Sequence, residues 1–199
     1  MTRDMTLSQA TLGTDGLLRK ALLVLGGSAF IAVASKIAVP MGATSMTLGS
    51  LAVLLVGLTY GSRLAATTLL TYLAAGAAGL PMFTITTAPG LAAFVGPTAG
   101  FLFGYVMIAW FAGYVTERGV KSFFGLALTA LAASALLYVP GLAWPALIAS
   151  GLGIEGSWIP SSLDTLLNWY MLPFLLGDAI KALIAALVVS GSWKVLRKT

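Results

Sequence analysis

The 199 residues contain no cysteine and no histidine, and only 9% of them carry charge, where a soluble domain has about 25%. Without cysteine the chain has no thiol nucleophile, disulfide or thiolate metal site. Without histidine it lacks the commonest metal ligand and the usual general base at neutral pH. A P-loop lysine motif is also missing, which excludes ATP hydrolysis by that route, and no cofactor is expected. The net charge of +5 does not point to nucleic acid, because the basic residues lie between apolar segments and not on one basic face.

What the chain does have is apolar surface, with 59% hydrophobic residues and a mean hydropathy of +0.98. A helix needs roughly 20 residues to cross about 30 Å of hydrocarbon, so the length accommodates about six spans. The expected class is an all-α membrane protein, one integral-membrane domain over 1–199, with no room for a separate soluble domain.

Residues 1–16 are polar and lack the basic start and small-residue cleavage site of a signal peptide. A first helix is predicted at about 17–38, closed by Pro40, and a second at about 47–60 after a turn at Gly42, Thr44 and Ser45. Leu64 to Thr116 contains no charge, and Gly79-Leu80-Pro81 with Pro89-Gly90 divides it into helices at about 64–78 and 97–116. A fifth helix is read at about 122–139, ended by Pro140-Gly141. A long connection with Trp144 and Trp158 suits an interface, as does Trp169 beyond it, and a sixth helix is read at about 168–193.

Six spans place both termini on one side, and charge selects the side. Arg3, Arg19, Lys20, Arg63, Arg118, Lys121, Lys194, Arg197 and Lys198 share one set of ends, nine of the eleven basic residues, while Glu155 and Asp164 hold the other. By the positive-inside rule both termini are cytoplasmic, and the protein is a multi-pass protein of the plasma membrane, surrounded by lipid. Topology leaves Lys36 and Lys181 over. Lys36, at the outer end of the first helix, is expected to snorkel to the interface.

Asp178 and Lys181 are three apart on the last helix and face the same way. A charge at membrane depth costs on the order of 2.5–3.5 kcal/mol, so such residues usually mark a site. An ion pair that merely fixes packing is the plainer reading; a ligand anchor, with Asp accepting and Lys donating, is preferred. Thr47, Thr84, Thr86 and Thr98, with Asn168 and Tyr170, are further candidates to line a pocket. Gly96, Gly100 and Gly104 form a flat strip for helix packing, and Ser28, Ala29 and Ala32 give the first helix a smooth face for a membrane partner or a neighbour.

Four blocks then carry a family resemblance. They are Ser35-Lys36-Ile37-Ala38-Val39-Pro40 with Met46-Thr47-Leu48; Tyr72-Leu73 with Gly76 to Phe83; Gly96-Pro97-Thr98-Ala99-Gly100-Phe101-Leu102; and Leu172 to Ala182, containing Gly177-Asp178-Ala179-Ile180-Lys181. In this order the chain resembles the BioY family, the biotin-binding S subunits of energy-coupling-factor transporters. The resemblance implies a six-helix bundle with an outward-facing biotin pocket to which Asp178 and Lys181 supply polar contacts. It implies a transmembrane coupling subunit and a pair of cytoplasmic ATPases as partners, with a homo-oligomer also in view, and no enzyme activity of the chain itself. Two positions depart from the family pattern: Gly49 stands where Gln is common, and Ser134 near a common Asn. The alternatives are an S subunit for thiamine or riboflavin, or a structural membrane protein.

Overall fold

The computed structural model describes residues 5–12, 16–41 and 44–196. Arg3, Asp4, Asp15, Gly42, Arg197 and Lys198 lie outside the described residues. A short helix α1 (Leu7–Leu12) precedes α2 (Leu17–Lys36); a hairpin of β1 (Ala38–Met41) and β2 (Thr44–Thr47) leads into α3 (Gly49–Tyr60) and α4 (Ser62–Ala77). A loop with a 3₁₀ turn at Gly90–Phe94 connects to α5 (Ala99–Glu117). Next come α6 (Phe123–Ala143), a π-helical turn (Trp144–Ile148), the short α7 (Ala149–Gly151), then α8 (Leu163–Tyr170) and α9 (Leu175–Leu196).

Four stretches are long and apolar enough to cross a membrane: Leu17–Lys36, Ala99–Glu117, Phe123–Gly151 and Leu175–Leu196. Leu17 is 86% exposed and Phe124 82%, so the helices turn large apolar side chains outward, as spans do where the surrounding solvent is lipid. The inner faces are built of small residues. Ala127, Ala130 and Ala133 on α6 and Ala182, Ala185 and Ala186 on α9 are buried, and the two helices pack together.

Close approach of backbones holds the bundle. A Cβ added to Gly113 of α5 would lie 2.4 Å from backbone atoms of Gly61 and Ser62, and one added to Gly100 would lie 2.2 Å from the Pro140 carbonyl oxygen. Gly104 likewise packs on Leu137 and Pro140, so two members of the predicted glycine strip meet α6; Gly96 precedes α5 and offers its carbonyl to the Trp144 indole at 2.9 Å. Gly61 has φ +84°, a left-handed conformation that glycine adopts without penalty, and it allows α4 to start directly after α3. Glu117 secures that corner, accepting from the Ser62 amide and hydroxyl at 2.8 Å each.

Several boundaries differ from the sequence expectation. The turn after Pro40 is an antiparallel hairpin that pairs Ala38 with Thr47, so Thr47 sits on a strand and not in the second helix. Pro40 fits because a two-stranded ladder leaves one edge of each strand unpaired. Pro140 does not end α6, which carries it internally and continues to Gly151 through the π-helical turn. The last helix is broken instead: Pro173 lies between α8 and α9, and Asp178 falls in the first turn of α9 and not mid-helix. Lys36 does not simply snorkel; its ammonium donates to the Phe83 carbonyl and ties α2 to the loop after α4. Trp144, expected at the interface, is buried. Ser28 and Ala32 are buried too, Ser28 donating to the Thr68 carbonyl of α4 at 2.9 Å, so this face of α2 serves its neighbour and only Ala29 of the three is exposed.

The packing makes a prediction about glycine. Gly113→Ala forces α5 off the α3–α4 corner and costs about 1–3 kcal/mol, seen as a fall of several degrees in melting temperature. Gly26→Ala, with nothing within 4 Å of its Cβ, leaves the melting temperature unchanged or higher.

Candidate ligand-binding site

The first turn of α9 has N–H groups without helical partners, and its dipole favours a carboxylate there. Asp178 occupies that turn. Lys181, one turn on, places its ammonium 3.0 Å from Asp178 Oδ1 and donates to Ser50 Oγ at 3.1 Å. The Tyr138 hydroxyl of α6 donates to Asp178 Oδ2 at 2.6 Å. Three helices, α3, α6 and α9, therefore converge on one pair of charges. Lys181 is only 7% exposed, and a buried ion pair is tolerated when further hydrogen bonds satisfy its remaining donors and acceptors.

The pair forms one wall of a cavity that opens between α3, α5, α6 and α9 and is lined by aromatic, aliphatic and hydroxyl groups. Tyr72 and Phe83, with rings edge to face at 5.5 Å, and Phe101 and Tyr138, edge to face at 6.3 Å, make much of its surface. Among the described residues Asp178 and Lys181 are its only charged lining residues, and they neutralise each other. The outer cover is the β hairpin and the loop from Gly79 to Thr98. It is laced by a hydrogen bond of 2.9 Å between the Ser45 and Thr86 hydroxyls and by the Lys36 contact to Phe83.

Of the residues expected in the site, Thr47, Thr84, Thr98, Asp178 and Lys181 all line this cavity. Thr86, Asn168 and Tyr170 are placed elsewhere. Thr86 is exposed and spent on Ser45. Asn168 donates to the Asp164 carbonyl at 2.9 Å, and Tyr170, fully buried, donates to the Trp158 carbonyl at 2.7 Å. Both belong to α8, and the break at Pro173 separates α8 from the inner face of α9.

A model of the BioY family matches residues 3–198. The chain belongs to the BioY family. It is 34% identical to the biotin transporter BioY of Rhizobium etli over 160 residues, which cover 75% of this chain and 76% of that protein. With the biotin transporter BioY of Rhodobacter capsulatus it shares 33% identity over 178 residues, 84% of this chain and 88% of that one. Its fold is similar to that of the S-component for biotin from an ECF-type ABC transporter, with a TM-score of 0.69 over 92% of each chain at 21% identity.

The two departures from the BioY pattern have structural settings. A Cβ on Gly49 would stand 2.6 Å from Ser35 Oγ and 2.9 Å from Thr47 Oγ1, so here two hydroxyls close over the position where family members often carry Gln. Ser134 is buried and outside the cavity lining; Tyr138, one turn further along α6, is the residue that reaches Asp178. The sequence pattern does not single out Tyr138 and Ser50, which bond the charged pair, or Tyr105 of α5, which lines the cavity. The signal for Tyr138 was a phenol within an uncharged helix, since a buried Tyr hydroxyl needs a partner.

A double-mutant cycle reads the pair's coupling. Asp178→Leu alone leaves a buried unpaired ammonium and destabilises by about 3–5 kcal/mol, whereas the double variant Asp178→Leu/Lys181→Met recovers most of that loss. Thermal denaturation in detergent measures both.

Proposed function

We propose that this chain is the biotin-binding membrane subunit of a vitamin uptake transporter: a single six-span domain of the plasma membrane, with both termini cytoplasmic. The observation that carries the reading is the neutral, hydrogen-bonded Asp178–Lys181 pair in a cavity otherwise lined by aromatic, aliphatic and hydroxyl groups. Biotin matches that pattern. Its ureido ring offers N–H groups to a carboxylate and a carbonyl to an ammonium, and its thiophane ring and tail suit the apolar walls.

The six-span reading adds α3 and α4 to the four long helices. Both are short for a crossing, at 12 and 16 residues, and both are flanked by protein on several sides. Arg63, Arg118, Lys121 and Lys194 gather at the end where Glu117 meets Ser62 and Lys121 lies over the Trp193 ring at 4.1 Å. The cavity lies towards the opposite end, on the side of Lys36 and the hairpin. Basic residues then face the cytoplasm and the pocket faces outward.

A chain of this kind binds substrate and performs no reaction on it. Its partners are a transmembrane coupling subunit and two cytoplasmic ATPases, which supply the energy for release inside.

Calorimetric titration of the purified protein with biotin is expected to show saturable binding at micromolar ligand or below, undisturbed by thiamine or riboflavin. Asp178→Ala and Lys181→Ala, in protein that retains its helical circular dichroism, each weaken binding tenfold or more, about 1.4 kcal/mol or above. A folded protein without saturable biotin binding overturns the proposal.

A further inference from the structure

The polar groups of the cavity are not spread evenly. Asp178, Lys181, Ser50 and Tyr138 satisfy one another. The hydroxyls of Thr44, Thr84 and Thr98 are buried and have no hydrogen-bond partner, yet all three residues line the same cavity. Thr44 is 7% exposed. They belong to the cover and not to the helical wall: Thr44 opens β2, Thr84 follows Phe83 in the loop, and Thr98 precedes α5. Strand β2 runs from Thr44 at about 3.3 Å per residue towards Thr47 and α3, so Thr44 is set back from the charged pair by the length of the strand.

We infer that these three hydroxyls form a second, uncharged subsite for the far end of the ligand, one that recognises an acceptor oxygen and not a negative charge. The inference rests on the biotin reading, which places the ureido ring at Asp178 and Lys181. A buried hydroxyl left unpaired is costly, and an oxygen acceptor brought in by the ligand removes that cost. The electrostatics argue the same way. Among the described residues Lys181 is the one cation that lines the cavity, and Asp178 neutralises it; Lys36, on the same side of the bundle, is engaged with the Phe83 carbonyl. Among the described residues no unpaired cation lines the part of the cavity under the cover. A carbonyl oxygen accepts from Thr hydroxyls whether it belongs to a carboxylate, an ester or an amide.

The test is competition against labelled biotin on the full-length protein in lipid nanodiscs. Biotin, biotin methyl ester and biotinamide are expected to compete within about threefold of one another, and an analogue whose tail ends in a methyl group, with no oxygen, about tenfold or more weaker. Val replaces Thr at nearly constant shape, so Thr44→Val, Thr84→Val and Thr98→Val test the same contacts; each is expected to lower biotin affinity while leaving the affinity of the methyl-ended analogue unchanged. Ester and amide binding about thirtyfold or more below the acid would show a charge-reading subsite and overturn the inference while the biotin reading stands. Equal loss of the acid and the methyl-ended analogue in the three variants would also overturn it, as would a wild-type protein that binds no biotin, in which case the parent reading falls as well.

Discussion

The helices of this bundle meet around one buried lysine that is engaged in hydrogen bonds inside a protein whose surroundings are apolar. Lys181 is surrounded by donors and acceptors from three different helices: Asp178 of its own, Ser50 of α3, and through Asp178 the phenol of Tyr138 on α6. Moving any of these helices by a residue breaks the set, and an unpaired charge at this depth costs several kcal/mol. The pair therefore fixes the register of α3, α6 and α9, and it leaves polar atoms facing a cavity.

That arrangement requires helices that come close without a strong hydrophobic drive between them, since lipid is as apolar as a leucine face. The chain meets the requirement with small residues. On α5 the division of labour repeats from one turn to the next: Gly100 and Gly104 let α6 approach at Pro140 and Leu137, while Phe101 and Tyr105, one residue on, line the cavity. Pro140 is tolerated inside α6 in the same way. Trp144 and the π-helical turn follow it, and the Pro140 carbonyl packs against the bare face of Gly100, so a residue that reads as a stop becomes a contact surface.

This is also why some features were legible in the sequence and others were not. Uncharged runs, basic ends and two charges within a span are properties of composition, and they pointed to a helical membrane bundle and to Asp178 and Lys181. Thr47, Thr84 and Thr98 followed from being neutral donors between helices. Thr86, Asn168 and Tyr170 look the same in sequence, yet their hydroxyl and amide groups are spent on Ser45, Asp164 and Trp158; which hydroxyl is spent and which is spare depends on tertiary neighbours. The smooth pattern of Ser28 and Ala32 marks a close contact, but nothing in the pattern says whether the contact is another chain or α4. Pro140 and Pro173 show the same limit. One is absorbed within a helix and the other breaks one, and the difference lies in what packs beside them.

The two sides of the cavity also differ in how firmly they are held. The wall that carries Asp178, Lys181, Ser50 and Tyr138 is made of helices whose inner residues are almost fully buried, among them Ala182 and Ala185 at 0% exposure. The cover is a hairpin of two four-residue strands and a loop in which Ile85 is 79% and Leu91 73% exposed, anchored to the core through Phe83 and Ala93. Segments with few buried contacts open at low free-energy cost. A rigid wall presents its polar groups already oriented, so little ordering is required when a ligand docks there. The cover has unpaired hydroxyls of its own, and a ligand that pairs them adds contacts to the less firmly held side of the cavity. On the subsite inferred above, a ligand is therefore held from two sides, by the oriented polar groups of the wall and by the hydroxyls of the cover.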